Sequence, residues 1–373
     1  MSGTRNLLVS TAMFLICVGL CVCEEPVVQK TGPIDLEKEI LEISRIAGKD
    51  ILGKDLDVRK YEGEIDRISA ECAKRIEGKK NGREIVDAIN AYLFGELSIQ
   101  PDPKEQDIDG IFIDAVLETK KGPCLALSGL YLIIGQKLNL PLYGVLVPGH
   151  FFVRYDDGKT VMNIETLKKG ALMKDRWYRD KYRIPDDSTC YFRNLTVKEA
   201  LAPFLFNLGN AYNSAGKADD AVATYEQAAA ILPGFAEVHG NLGVAYFKKG
   251  EMDKAVSEFH AAVRANPLAS GAYLDLGAAY HAQRKYDDAI ASYKKGLTIV
   301  PRNPELLNAL GMAYQAQGRL NEAVAYYKQA VAAKPDFAEA YRNLASALKA
   351  LGENSLAEKY LKKAGETVTN ASK

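Results

Sequence analysis

The chain has 373 residues, its 48 Lys and Arg residues balance 48 Asp and Glu residues, and 47% of its residues are apolar. This length predicts two or three domains, and the apolar content is ordinary for globular proteins with sizeable cores. The zero net charge provides no global attraction to nucleic acid or to an anionic membrane, so the sequence predicts no nucleic-acid partner.

The first 23 residues have the pattern of a secretory signal. Arg5 precedes the apolar run LLVSTAMFLICVGLCVC, and a polar stretch begins at Glu24. A basic start, an apolar core and small residues before a polar stretch are typical of a signal peptide. The sequence therefore predicts export to the periplasm, the outer face of the cell or the medium. Retention as an N-terminal membrane anchor and lipoprotein processing at Cys21 or Cys23 are the alternatives.

Helical periodicity dominates the residues that follow. Apolar residues recur at helical spacing in the segments 34–47, 58–76 and 85–97. A polar, proline-containing loop is predicted at 100–109, and an apolar segment at 111–117 leads to Cys124. This part of the chain predicts amphipathic helices whose apolar faces need a packing partner.

Three cysteines lie beyond the signal segment: Cys72, Cys124 and Cys190. An odd number indicates at least one free thiol. A Cys72–Cys190 disulfide that leaves Cys124 free would suit an oxidising compartment, although spacing alone does not define the pairing. Beyond the signal segment the chain has no CxxC pair and no His/Cys cluster, so the sequence predicts no metal site and no cofactor.

Cys124 is the candidate nucleophile. It follows a Gly-Pro pair and opens an apolar segment that predicts a helix over 125–138. Proline is tolerated at a helix start, where the unpaired N–H groups and the helix dipole favour a thiolate. A lone cysteine in an apolar run is by default a buried structural residue. This one instead begins its helix and is followed by His150, the only histidine before the repeats.

The residues around His150 predict a small sheet. Asp157-Gly158 is a strong hairpin signal, and Asn163 and Glu165 lie two residues apart on one strand, so their side chains share a face. Either of them could bond the far ring nitrogen of His150 and fix its tautomer. The β-rich composition predicts three strands, at 142–147, 150–155 and 161–165.

The segment GPCLALSGLYLIIGQKLNLPLYGVLVPGHFFVR, followed by NIET, resembles the transglutaminase-like superfamily and specifically its SirB1-type branch. The resemblance extends over residues 34–207. It implies an α+β papain-like fold with a Cys–His–Asp-type triad, in which Cys124 takes the nucleophile position and His150 the base position. The third position falls on Glu165 or Asn163, because NIET aligns in either register. Many members have Asp there, so this chain departs from the usual pattern.

The second half of the chain repeats every 34 residues, which is the tetratricopeptide (TPR) period. Five repeats predict an all-α solenoid over residues 199–373, with a concave groove for a protein or peptide ligand. The period is visible at Leu208, Leu242, Leu276, Leu310 and Leu344, at Ala221, Ala255, Ala289, Ala323 and Ala357, and at Pro233, Pro267, Pro301 and Pro335.

Together these patterns predict a signal peptide or anchor at 1–23, a transglutaminase-like α+β domain at 24–198 and the TPR array. One hypothesis is an exported cysteine-dependent peptidase, amidase or transglutaminase. In it Cys124 attacks an amide carbonyl, His150 moves the proton, and Glu165 or Asn163 orients the imidazole. The other hypothesis is a non-catalytic scaffold, in which the first domain is structural and the repeats bind the partner.

Overall fold

The structure, a computed structural model, describes residues 33–102, 110–185, 188 and 190–371. The predicted signal segment and most of the predicted loop at 100–109 lie outside the described residues. Within the described part of the chain, no helix is both long and apolar enough to span a membrane.

The first half of the chain combines helices with two small sheets. The predicted helices and the three predicted strands are confirmed, and most of their ends shift by a few residues. The third predicted helix, at 85–97, is divided into an α-helix that ends at Asn90 and a π-helix at Ala91–Glu96. Strands β1, β2 and β6 and helix α6 were not predicted. The helices are α1 (Leu36–Ala47), α2 (Val58–Ile76), α3 (Gly82–Asn90), α4 (Ile113–Thr119), α5 (Cys124–Lys137) and α6 (Asp175–Tyr182). The strands are β1 (Gln100–Pro101), β2 (Lys121–Gly122), β3 (Leu142–Val147), β4 (His150–Asp156), β5 (Val161–Glu165) and β6 (Ala171–Met173).

Helix α5 is the centre of this half. It packs against strands β3 and β4 and against helices α1, α2 and α4. Every residue from Leu125 to Gly135 is buried, which explains why the helix is apolar all round and not on one stripe. Strands β3, β4, β5 and β6 form an antiparallel sheet in that order, while β1 and β2 form a separate parallel pair. The result is an α+β domain, as predicted.

The second half is an array of five helix pairs. In each of the first four pairs, a glycine of the first helix lies against an aromatic ring of the second, as Gly209 does against Tyr225. The TPR solenoid is thereby confirmed. The pairs, called here the first to fifth repeats, are α7 (Ala202–Ser214) with α8 (Ala218–Ile231), α9 (Ala236–Lys248) with α10 (Met252–Ala265), α11 (Ser270–Ala282) with α12 (Tyr286–Ile299), α13 (Pro304–Ala316) with α14 (Leu320–Ala333), and α15 (Ala338–Ala350) with α16 (Asn354–Ala371).

The two halves share one hydrophobic core. A single cluster of buried apolar side chains extends from α1 through the first repeats as far as α11. At the junction, a Cβ added to Gly129 of α5 would meet the ring of Phe204 of α7 at 2.8 Å. The hydroxyl of Tyr212 also donates to Asp50 Oδ2 at 2.8 Å. The array therefore packs directly on the first domain and is not joined to it through a flexible linker.

The disulfide considered between Cys72 and Cys190 is contradicted by the structure, in which both are free thiols. Cys72 is buried in α2, whereas Cys190 is buried beside the repeats, where its Sγ donates to the carbonyl of Gly234 at 2.8 Å. Burial raises the pKa of each of these two thiols to about 12, so both are poor nucleophiles.

The close helix pairing in the repeats can be tested with two glycines of α9. A Cβ at Gly243 would meet the buried ring of Phe259 at 2.6 Å, whereas a Cβ at Gly240 meets nothing within 4 Å. We expect Gly243→Ala to lower the free energy of unfolding by about 1–3 kcal/mol through overpacking. The control Gly240→Ala should raise it by about 0.5–1 kcal/mol, because alanine is the better helix former. Urea unfolding followed by circular dichroism measures both, and changes of equal sign and size would contradict this packing.

Candidate active site at the domain junction

Cys124 is the first residue of α5 and is half-buried. Pro123 stands before it in an extended conformation, which is compatible with a helix start. The first N–H groups of the helix have no intrahelical acceptor and remain available around the sulfur. The carbonyl of Cys124 accepts a hydrogen bond from Thr166 Oγ1 at 3.5 Å, and Thr166 Oγ1 lies 3.1 Å from Ser128 Oγ. Thr166 therefore ties the start of α5 to the end of β5.

His150 is the first residue of β4 and is only 6% exposed. Its Nε2 lies 2.8 Å from Oε2 of Glu165, the last residue of β5. The backbone N–H of Leu167 donates to the other carboxylate oxygen of Glu165 at 3.0 Å. Because Nε2 is engaged with Glu165, Nδ1 is the ring nitrogen left for Cys124. Glu165 is thus bound to His150, and Cys124 and His150 line the same cavity.

Asn163, the alternative third residue, does not contact His150. It pairs with Arg154 across the strands, and its Oδ1 accepts from Arg154 Nε at 2.7 Å. Its Nδ2 donates to Asp175 Oδ1 at 2.6 Å. The sheet register explains the difference, because Glu165 lies two residues nearer than Asn163 to the end of the sheet at which β4 begins. Asn163 holds Arg154 and α6 in place, and the interaction with His150 belongs to Glu165.

Helix α6 supplies an aromatic cover for the imidazole. The ring of Tyr182 stacks on His150 with a centroid distance of 5.0 Å and an interplanar angle of 5°. The hydroxyl of Tyr178 donates to Glu165 Oε2 at 3.2 Å. Burial raises the pKa of both tyrosines, so they stay neutral and act as shields and hydrogen-bond donors. This cover excludes water from the pair formed by His150 and Glu165.

The electrostatics of the site favour a protonated imidazole. Burial lowers the pKa of His150, but hydrogen bonds and charge interactions with Cys124 and Glu165 outweigh burial and raise the pKa to about 9. An imidazolium held between a thiol and a carboxylate can stabilise a thiolate and later donate its proton. Chemically, the arrangement suits nucleophilic attack by sulfur on a carbonyl carbon.

Cys124 and His150 line a cavity of about 330 Å³ that opens between the two halves of the chain. The first half contributes Ile111, Pro123, Cys124, Leu125, Leu146, Gly149, His150 and Phe151. The first two repeats contribute Pro203, Phe206, Asn207, Asn210, Phe235 and Glu237. Across the described ranges, no group of three or more His, Cys, Asp or Glu side chains could hold a metal ion.

Several residues that surround His150 or line the cavity were not identified from the sequence. Tyr178 and Tyr182 lie on a short helix that carried no recognised motif. Phe206, Phe235 and Glu237 belong to the repeats, where an aromatic or acidic residue in a first helix is ordinary. Only the packing of the repeats on the first domain gives these side chains a place beside Cys124.

Comparisons with known proteins agree with this organisation. A family model described as the transglutaminase-like superfamily matches residues 59–184. A second, described as the cilia and flagella-associated protein 70 C-terminal domain, matches residues 171–373, which is more than half of the chain. The chain belongs to this TPR family and carries a transglutaminase-like domain before it.

Individual relatives match only parts of the chain. A UPF0162 protein of Xylella fastidiosa (strain 9a5c) is 27% identical over 157 residues, which are 39% of this chain and 55% of that protein. The chain thus spans about half the length of this curated relative. A crystal structure of MamA is 24% identical with a TM-score of 0.41, covering 44% of this chain and 96% of that one. The structure of YrrB, described as a TPR protein with an unusual peptide-binding site, is 23% identical with a TM-score of 0.39, covering 44% and 86%.

The pairing of His150 with Glu165 makes a prediction about titration. In Glu165→Gln the carboxylate charge is lost while burial still disfavours the imidazolium, so we expect the pKa of His150 to fall by more than about one unit. Because the native pKa lies above the ordinary value, the part of the stability difference that comes from the imidazolium should be fully present near pH 6.5 and be lost as the pH rises through about 9.

A ¹³C NMR titration of labelled histidine measures this pKa, and chemical denaturation at several pH values measures the stability difference. The comparison variant is Asn163→Ala, which leaves the partner of His150 in place. If the pKa of His150 falls equally in both variants, or falls in Asn163→Ala alone, the assignment of Glu165 as its partner is contradicted.

Proposed function

We propose that the chain is an exported cysteine-dependent enzyme that transfers or hydrolyses an acyl group of an amide substrate, and that its TPR array binds a protein or peptide. The supporting observation is that Cys124 and His150 face one cleft while Nε2 of His150 is bound to Glu165 at 2.8 Å. Export rests on the N-terminal apolar segment of the sequence alone.

In the proposed reaction the sulfur of Cys124 attacks the amide carbonyl and forms a thioester as the carbon–nitrogen bond breaks. His150 donates its proton to the leaving amine and so becomes neutral. Water or a second amine then attacks the thioester. His150 takes the proton of this nucleophile, and the sulfur of Cys124 leaves as the acyl group departs. The choice of water or amine decides between hydrolysis and acyl transfer.

The oxyanion that forms on the carbonyl oxygen needs donors close to the sulfur. The N–H groups of Cys124 and Leu125 are at the start of α5, where no intrahelical acceptor exists, so they can serve as these donors. The positive end of the helix dipole adds to the same effect. Glu165 keeps the ring of His150 oriented throughout, and Tyr182 keeps water off its face.

A non-catalytic scaffold is the second candidate function. It is favoured by the size of the TPR array and by polar side chains that join the first helices of neighbouring repeats. Asn308 Nδ2 donates to Glu339 Oε1 at 3.3 Å, and Asn343 Nδ2 donates to Asn308 Oδ1 at 3.0 Å. Solenoids of this kind present extended binding surfaces. A scaffold would bind its partner without any requirement for the Cys124 thiol.

Thiol reactivity separates the two candidates. We expect iodoacetamide to alkylate Cys124 in the native chain at pH 7 about tenfold faster than an ordinary free thiol, because the imidazolium of His150 stabilises the thiolate. Cys72 and Cys190 should remain unlabelled, since both are buried with raised pKa values. His150→Gln should reduce the rate at Cys124 to that of an ordinary thiol.

Mass spectrometry of proteolytic peptides reads the label at each cysteine. Applied to the chain purified from its native cells, it also locates the N-terminus, which export with cleavage places near Glu24. If Cys124 of the wild type reacts no faster than glutathione, the catalytic proposal fails and the scaffold is favoured. An intact N-terminus at Met1 on a chain found in the cytoplasm would contradict export.

A further inference from the structure

The cleft that holds Cys124 is built by two parts of the chain. One wall belongs to the transglutaminase-like domain, and the other to the first helices of the first and second repeats. From the repeats come Pro203, Phe206, Asn207 and Asn210 on α7, Phe235 at the N-cap of α9 and Glu237 on α9. The first helices of the array therefore begin beside the nucleophile.

Glu237 connects the second repeat to the residue before His150. Its Oε1 accepts a hydrogen bond from the backbone N–H of Gly149 at 2.9 Å. Its Oε2 accepts from the hydroxyl of Tyr191, which in turn accepts from the N–H of Ala236 at 3.2 Å. Gly149 has a φ of 70°, so it forms a tight turn from β3 into β4. A carboxylate of the repeats thus fixes the turn that carries the imidazole.

The remaining surface of the repeat wall is apolar and aromatic. The rings of Phe206 and Phe235 lie with centroids 5.1 Å apart, opposite Leu146 and Phe151 of the sheet. None of the described residues that line the cleft is a Lys or Arg. Both carboxylate oxygens of Glu237 are already bound, by Gly149 and by Tyr191. An uncharged side chain therefore fits this apolar space better than an acidic or a basic one.

Amide groups on α7 complete the wall. Asn210 Oδ1 is occupied by the hydroxyl of Tyr225 and by Asn241 Nδ2, each at 2.7 Å. Asn207, one turn earlier on the same face, makes no hydrogen bond within the described residues and keeps both its donor and its acceptor. A side-chain amide of this kind matches the N–H and C=O groups of an extended peptide backbone.

We propose that the first two repeats form half of the active site, where Phe206 and Phe235 receive an apolar side chain of a polypeptide acyl donor and Glu237 positions His150. This inference rests on the proposed function of Cys124. It makes the repeats part of the substrate site and not only a docking surface. The transglutaminase-like domain without them would lack one wall of the cleft and the support of its histidine.

The positioning role is tested with a pair of matched variants. Glu305 occupies the same position in the fourth repeat, two repeats beyond Glu237. Its Oε1 lies 3.4 Å from Nζ of Lys334, and it does not line the cleft. We expect Glu237→Ala to lower the rate of iodoacetamide alkylation of Cys124 several-fold, towards but not below the rate of His150→Gln, because misplacement of a catalytic group is costly. Glu305→Ala should leave the rate unchanged. Glu237→Gln should retain most of it, because its oxygen still accepts from Gly149.

The apolar wall is tested with acetyl-leucine chloromethyl ketone, and with its lysine counterpart as a charged probe. We expect the leucine probe to label wild-type Cys124 about tenfold faster than the lysine probe. In Phe206→Ala, the ratio of the leucine-probe rate to the iodoacetamide rate should fall about tenfold. Leu274→Ala, at the same position of the third repeat, should not change this ratio.

The outcomes separate this inference from the proposed function. A wild type that iodoacetamide labels no faster than glutathione overturns the function itself. The shared site is overturned if wild-type Cys124 is reactive but Glu237→Ala and Glu305→Ala are alkylated at the same rate. It is also overturned if Phe206→Ala leaves the probe ratio unchanged. Either result leaves the proposed function intact. Thermal unfolding of each variant shows whether it is folded. If Glu237→Ala does not fold, Glu237→Leu, which fills the space but offers Gly149 no acceptor, is compared with Glu237→Gln, and equal rates in these two variants contradict the positioning role.

Discussion

The hydrogen bond between His150 Nε2 and Glu165 Oε2, 2.8 Å long and buried in the sheet, is the interaction on which the candidate site depends. A buried carboxylate and a buried imidazole are each costly alone, and together they satisfy one another. The pairing decides which ring nitrogen is left for Cys124. Together with the interaction with Cys124, it outweighs burial, which lowers the pKa of His150, and so the pKa is raised. The sheet register and the cover provided by Tyr182 serve to keep this pair in place.

The same histidine is supported from the other half of the chain. Glu237 holds the N–H of Gly149, directly before His150, and the shared hydrophobic core fixes α7 and α9 against α5 and the sheet. A solenoid joined through a linker would move freely, but one that continues the core of its neighbour is a fixed wall. The TPR array can therefore combine two roles in one surface, a binding groove along its length and one side of the candidate active site at its beginning.

Much of this organisation could be predicted from local patterns. Helical spacing and the 34-residue period depend on neighbours in sequence, and the position of Cys124 at a helix start follows from Gly122 and Pro123. The choice between Asn163 and Glu165 could not be predicted, because both side chains share a face and only the pairing of β5 with β4 selects one. The role of Glu237 could not be predicted from the sequence for a similar reason. It looks like any acidic residue of a repeat until tertiary packing brings it to the turn before His150.

The most direct test of a site shared by both halves is a short photo-crosslink from Cys124. A diazirine-bearing iodoacetamide attached to this sulfur in the full chain would be activated by light, and the captured peptides would be identified by mass spectrometry. We expect capture of peptides from α7 and from the start of α9, those that contain Phe206, Asn207 and Phe235, alongside peptides of the first domain. Capture confined to residues 33–198 in the folded, labelled chain would contradict the shared site.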